Sequence, residues 1–233
     1  MMTALKFSPA VFACDVSALS DPALYSLASG LVTAERLKKA QRYRFEEDRR
    51  LSLGAELILR YALDRAGLCE TPLEYTYGEN EKPYLKKDGV YFSLSHSGKY
   101  ALCALSECEN GCDIEEIKPV NLNVAKRFFT REEYDMISSL SGENERNAVF
   151  YRCWTLKESF IKATGLGMRM PLNSFSVISE NGEAQKQKFN SSTYYFNEFN
   201  EIDGYKCAVC SEKEQTFELS VKDIKEVINE VIR

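Results

Sequence analysis

The residues best suited to chemistry lie in one stretch, Tyr151–Gly165, reading Tyr-Arg-Cys-Trp-Thr-Leu-Lys-Glu-Ser-Phe-Ile-Lys-Ala-Thr-Gly. Its composition favours a helix, and Gly165 is a natural stop. On a helix, Trp154, Glu158 and Lys162 form one row at i, i+4 and i+8, with Lys157 beside them. A carboxylate flanked by two lysines suits an anionic substrate held through a metal. The same residues also fit an exposed i, i+4 ion pair worth about 0.2–0.5 kcal/mol. A second stretch, Gly111-Cys112-Asp113-Ile114-Glu115, adds weight to the chemical reading. Asp113 and Glu115 are two apart, so in a strand both point to one face, as they also would on a plain solvent-facing edge. With Glu158 they make three carboxylates, a set that holds Mg²⁺ together with waters and substrate phosphates. Lysines then balance phosphate charge beyond the metal's reach.

His96 is the only histidine, in Phe92-Ser-Leu-Ser-His-Ser-Gly98. Lying between two serines and beside a turn, its ring N–H can reach a bound oxyanion. No Gly-x-Ser-x-Gly elbow accompanies it, so no serine triad is read here. Gly165-Leu-Gly167 follows a helix instead of opening one, so it is not a phosphate loop. Cys207-Ala-Val-Cys210 has a zinc-like spacing. In a strand, however, i and i+3 face opposite sides, and no second Cys-x-x-Cys exists to complete a site.

The chain has 233 residues and 44% hydrophobic content, enough for one large domain or two compact halves. A net charge of −5 argues against general nucleic-acid binding, which needs a basic face. No apolar run approaches the ~20 residues that span a bilayer. Met1–Cys14 contains Lys6 and Pro9 and lacks a signal h-region, so it reads as leading into a first strand. The eight cysteines sit mostly among apolar neighbours, as reduced buried thiols do, and the expected location is the cytoplasm.

Two sets of elements must position these groups. In the first, Val11–Asp15 is a strand. Leu31–Gly67 is a long helical region with a break at Phe45–Asp48. Its first part is basic, through Arg36, Lys38, Lys39, Arg42, Arg44, Arg49 and Arg50, a local positive cluster that can draw in anions. Thr71–Gly89 is turn-rich, and Tyr91–Ser95 and Tyr100–Ser106 are strands. In the second set, Cys112–Glu115 is a strand, and Asn121–Phe129 and Arg131–Leu140 are short helices. Thr130 and Glu133 form a capping box there. Arg146–Thr164 is the central helix. Ser174–Ile178, Thr193–Phe199 and Tyr205–Cys210 are strands, and Lys222–Ile232 is an amphipathic closing helix. Gly98–Glu107 echoes Asp203–Glu212, and Tyr91–Ser95 echoes Ser174–Ile178. The echo predicts an α+β chain of two similar halves, residues 1–109 and 110–233, with a site at their interface.

Three separated motifs, Phe92-Ser-Leu-Ser-His96, Gly111-Cys-Asp-Ile-Glu115 and Trp154-Thr-Leu-Lys-Glu-Ser-Phe-Ile-Lys162 with Gly165, resemble in order and spacing the 4′-phosphopantetheinyl transferases of the surfactin-synthetase type. Lys126-Arg-Phe-Phe129 and Pro171–Val177 resemble the same family, so the likeness covers nearly the whole chain. It implies the family's fold, a pseudo-twofold pair of similar α+β halves in one chain. It also implies transfer of the phosphopantetheine arm of coenzyme A to a serine of an apo acyl or peptidyl carrier protein, with release of 3′,5′-ADP. By the resemblance, Asp113, Glu115 and Glu158 hold Mg²⁺, and Lys162 binds phosphate with Lys157 beside it. Ser95 and His96 lie near the 3′-phosphate, Lys82 and Pro83 meet the nucleotide, and Arg36, Lys39 and Ser52 are further coenzyme A contacts. Asp113, Glu158 and Lys162 are the catalytic set, with Glu158 taking the serine proton directly or through a water. Cys112 and Glu81 depart from the family, which usually has a branched aliphatic and a glycine there. A monomer follows from one chain holding every part. The competing functions are another Mg²⁺-dependent phosphoanhydride hydrolase and a non-catalytic coenzyme A-binding module. The expected carrier-docking surface is Leu122, Val124, Lys126, Arg127, Phe128, Phe129 and Arg131, where apolar and basic residues interleave.

Overall fold

The computed structural model describes residues 7–68, 72–179 and 181–233. Strand β1 (Ala10–Asp15) alternates faces between two apolar clusters. Helix α1 (Pro22–Leu31) starts where Asp21 accepts from the N–H groups of Ala23 and Leu24, and Pro22 takes a first-turn position whose N–H has no helical partner. Helix α2 (Ala34–Arg42) is capped by Thr33 and carries the basic residues. After the break, α3 (Glu46–Arg65) begins with Glu46, Glu47 and Asp48 at its positive end, and every residue from Leu51 to Leu63 is buried. The hairpin β2 (Tyr75–Tyr77) and β3 (Pro83–Leu85) follows, then β4 (Tyr91–Ser97) and β5 (Tyr100–Ser106).

The same order recurs. Strand β6 (Asn110–Glu116) is followed by α4 (Leu122–Phe128), α5 (Arg131–Ser139) and the 22-residue α6 (Glu143–Thr164). Then come β7 (Gln187–Phe189), β8 (Ser192–Phe199) and β9 (Tyr205–Ser211). One sheet runs β10-β1-β5-β4 and the other β6-β9-β8-β7, where β10 is Glu218–Asp223. Strands β1, β5 and β4 thus correspond to β6, β9 and β8, with all these pairings antiparallel. The expected pair of α+β halves is the observed architecture.

Three expectations need correction. Ser174–Ile178 is not a strand; a 3₁₀ turn precedes it and only Ile178 makes a bridge, to Ala184. The true counterpart of β4 is β8. The second half does not run to residue 233 either. β10 returns to pair in parallel with β1, and the closing helix α7 (Ile224–Ile232) buries Ile224, Val227 and Ile228 in the first half's core. Helix α1 lies outside the predicted helical region, although Asp21-Pro22 is a legible start signal.

The halves meet along β4 and β6 through side chains instead of a backbone ladder. Ser93 Oγ accepts from the Cys112 N–H at 3.0 Å, Ser95 Oγ donates to Asp113 at 2.7 Å, and Ser97 Oγ donates to Glu115 at 2.7 Å. Alternate serines of one strand face thus fix the neighbouring strand that bears the two carboxylates. Helix α6 lies directly on β6 at Gly111. A methyl there would stand 2.1 Å from the Ser159 carbonyl oxygen and 2.3 Å from the Ala163 nitrogen, so only glycine admits this approach. Both contacts flank Lys162, so the absent side chain brings the helix row next to Asp113.

Candidate active site

Between the halves lies a cavity of about 840 Å³. Arg36, Lys39, His96 and Lys82 of the first half and Trp154, Glu158 and Lys162 of the second line it. The row Trp154–Glu158–Lys162 therefore faces one space, as the helical spacing predicts. Phe92, Leu94, Ile161 and Phe128 give it an apolar wall. Trp154 is fixed by stacking on Phe150 and edge contacts with Phe128.

Lys162 Nζ donates to Asp113 at 2.7 Å, to Ser95 Oγ at 3.0 Å and to the Cys112 carbonyl at 3.1 Å. Burial works against its charge, but Asp113, Cys112 and Glu158 outweigh that and hold its pKa above the usual lysine value. Burial, then Asp113, pushes Glu115 up to about 7. The Glu158 carboxyl is raised in the same way by burial and by Asp113. Three carboxylates thus strain against one another around a single lysine.

At the basic end, Arg36 and Lys39 line both the main cavity and an adjoining one of about 640 Å³. Glu56, wholly buried on α3, steadies this end. It accepts from Thr33 N at 2.6 Å and Thr33 Oγ1 at 2.8 Å, and pairs with Arg36 at 3.5 Å. Partial desolvation in the cavity wall, together with Lys162, Lys39 and Arg36, lowers the His96 pKa. Burial and the neighbouring positive charges together disfavour the charged imidazolium. Because His96 is the sole histidine, its ring gives one NMR signal set. Its titration midpoint should lie below the ordinary value of about 6.5. It should rise when a polyanionic ligand binds beside it, and an unmoved midpoint would place the anion elsewhere.

A family model described as 4′-phosphopantetheinyl transferase superfamily matches residues 109–210, and one described as 4′-phosphopantetheinyl transferase, N-terminal, matches residues 20–108. The 4′-phosphopantetheinyl transferase Sfp of Bacillus subtilis is 34% identical over 185 residues, covering 77% of this chain and 82% of its own. The chain belongs to the 4′-phosphopantetheinyl transferase superfamily. A 4′-phosphopantetheinyl transferase of Aneurinibacillus migulanus, 32% identical, extends the likeness to 88% of this chain and 86% of its own. The protein is accordingly an Sfp-type transferase that moves phosphopantetheine to carrier proteins.

Seen as a phosphopantetheinyl transferase, the chain departs from expectation at several residues. Lys157 does not reach the cavity. It is fully buried, pairs with Glu133 at 2.8 Å and donates to the carbonyls of Leu172 and Phe175. One residue from Glu158 is a rotation of about 100° on a helix, which turns Lys157 into the second half's core. Ser52 is likewise buried, its hydroxyl unpaired, one turn before Ala55, which does line the cavity. The Lys82 ammonium is committed to Glu109 and two carbonyls. Asp113, Glu115 and Glu158 share one region but do not form a closed ligand set. Lys162 sits on Asp113, Glu115 bonds Ser97, and no group of three or more His, Cys, Asp or Glu among the described residues is arranged to hold a metal. Glu81, standing where the family tends to have glycine, has φ 61°, a left-handed conformation glycine would adopt without cost. Cys207 and Cys210 lie in different apolar clusters, as divergent strand positions require. Sequence reasoning missed Ser97 and Glu56, and found Glu133 as a helix cap but not as the partner of Lys157. The Ser93-x-Ser95-x-Ser97 alternation was the available signal for the first. The other two partners lie 24 and 20 positions from the lysine and arginine they hold, beyond any local pattern.

Proposed function

We propose that this transferase takes the arm from coenzyme A, with Mg²⁺ held by Asp113, Glu115 and Glu158, and passes it to an apo acyl or peptidyl carrier protein. The observation that supports this most is the charge imbalance at β6 and α6. The buried Asp113 Oδ2 has no hydrogen-bond partner, and three acids there face one lysine. An orphaned carboxylate oxygen in such a cluster suits a hard cation, so the residues fit Mg²⁺. When bound, the ion supplies positive charge to a pyrophosphate.

The chain's own residues do the rest. Arg36 and Lys39 offer the 3′-phosphate end a positive surface, the neutral His96 ring can donate a hydrogen bond there, and Lys162 meets pyrophosphate charge from the other half. Glu158, raised in pKa and facing the cavity, is placed to accept the proton of the attacking serine. The leaving group is 3′,5′-ADP. All these residues belong to one chain, so a monomer suffices. No helix among the described residues is long and apolar enough to cross a membrane. The free, buried cysteines fit a reducing compartment, and on that ground we place the enzyme in the cytoplasm.

Thermal unfolding tests the metal site without turnover. Glu115 has a folded pKa raised to about 7 from an ordinary 4.5, so its ionised form is disfavoured in the fold. That cost is absent at low pH, appears as pH rises through this window, and is full above it. The metal-free protein should therefore lose stability between pH 5 and pH 8. Mg²⁺ should raise Tm more at pH 8 than at pH 5, and this difference should shrink in Glu115→Gln. A Tm indifferent to Mg²⁺ at pH 8 contradicts the assignment.

The carrier is proposed to dock on α4. Lys126 and Arg127 are exposed there, Arg127 stacks on Phe128 at 5.1 Å, and Arg127 and Phe128 line the cavity mouth. Phe129, in contrast, is core. Carrier proteins are generally acidic near the modified serine, so local basic residues matter more than this chain's net charge. The double reversal Lys126→Glu and Arg127→Glu should raise KM for carrier, leave coenzyme A binding intact and blunt the salt dependence. An unchanged carrier KM would move the docking surface elsewhere.

A further inference from the structure

The β2–β3 turn of the first half reaches across to the end of α6 in the second. Asn80 Nδ2 donates to the Gly165 carbonyl at 2.8 Å, at the helix C-cap. Lys82 Nζ donates to Glu109 at 2.6 Å, to the Asn110 carbonyl at 3.0 Å and to the Ala163 carbonyl at 3.2 Å. Glu109 immediately precedes β6, and Ala163 follows Lys162 in the last turn of α6. The Lys82 side chain is only 11% exposed and has three acceptors. An ammonium at a helix C-terminus is favoured by the helix dipole and satisfies a carbonyl the helix leaves unpaired.

From this we infer that Lys82 and Glu109 form a clamp that ties α6 to the start of β6 and so holds Glu158 and Lys162 in register with Asp113. Lys82 is then a positioning residue whose charge is spent on protein, not a ligand of the nucleotide. This rests on the proposed donor and catalytic residues. Glu109 gives the discrimination, because it does not line the cavity. Were Lys82 a phosphate ligand, removing Glu109 would free the ammonium and leave or strengthen coenzyme A binding, and removing Lys82 would weaken that binding.

The experiment compares Lys82→Met, Glu109→Gln, the double variant and Lys82→Arg. Coenzyme A binding is measured by calorimetry, turnover with an apo carrier that the wild-type protein modifies, and stability by thermal unfolding. Both single variants should lower kcat by about ten-fold or more, since small displacements of catalytic groups cost that much. Coenzyme A Kd should stay within about three-fold, and the double variant should be no worse than either single one. Lys82→Arg should recover most of kcat. The inference is overturned if Lys82→Met weakens coenzyme A binding ten-fold while Glu109→Gln does not. It is also overturned if both variants lower Tm with kcat unchanged, since the pair would then be a fold contact only. A wild-type protein that transfers nothing would instead refute the proposed reaction. The clamp would then be judged by the thermal cycle, where additive losses in Tm refute it.

Discussion

Glu158→Gln should abolish phosphopantetheine transfer and leave the fold intact. The substitution keeps the side chain's shape and removes only its charge and its capacity to take a proton. Glu158 sits in the cavity wall, one helical turn from Lys162, with its pKa raised first by burial and then by Asp113. A carboxylate so placed is a better base than an exposed one, and loss of a positioned base costs about 10²–10⁴ in rate. Loss of a proposed metal ligand adds to this. Because the free carboxylates repel one another, the variant should unfold no earlier than the parent in the absence of metal at pH 8. Near-normal turnover at ordinary Mg²⁺ would remove Glu158 from both roles. Early unfolding would show that the residue is needed for packing.

The second large effect concerns stability. Lys157 and Glu133 are both buried, 0% and 2% exposed, and the Glu133 carboxylate also accepts from the N–H groups of Val177 and Thr130. It thus joins α5, α6 and the segment after α6 at one point. Removing one partner strands a charge in the core, so Lys157→Ala should destabilise the protein by about 3–5 kcal/mol. Lys157→Met with Glu133→Gln should cost less than the sum of the single changes, because neither charge is left alone. Denaturant melts of the single and double variants measure this coupling. Additive losses would mean that the pair carries no mutual dependence. Loss of coenzyme A affinity in Lys157→Met, with stability unchanged, would return the lysine to the site.

Much of this arrangement is legible in the chain itself, for local reasons. The Trp154–Glu158–Lys162 row follows from helical period alone, and the shared face of Asp113 and Glu115 from strand period alone. Thr130 and Glu133 form the capping box that their spacing predicts. The likeness between Gly98–Glu107 and Asp203–Glu212 reports the equivalence of β5 and β9. What the sequence hides is non-local. Nothing near Lys157 tells that Glu133 awaits it in the core, so a lysine beside two site residues reads as a third. Nothing near Lys82 reveals that its ammonium meets Glu109 and the end of α6. The return of β10 to β1 joins residues about 200 positions apart, and no pattern within Glu218–Asp223 points to that partner. Asn110-Gly111 reads as a turn, yet both residues lie inside β6, where the missing side chain admits the backbone of α6.

Intact-protein mass spectrometry reads the transfer itself. Apo acyl and peptidyl carrier proteins are incubated with coenzyme A, Mg²⁺ and this protein. At least one carrier should gain the mass of a phosphopantetheine group on a single serine, with 3′,5′-ADP released in equal amount and no gain in the presence of a chelator. Coenzyme A cleaved at the same rate without any carrier, or left uncleaved with every carrier at unchanged mass, would contradict the proposed transfer.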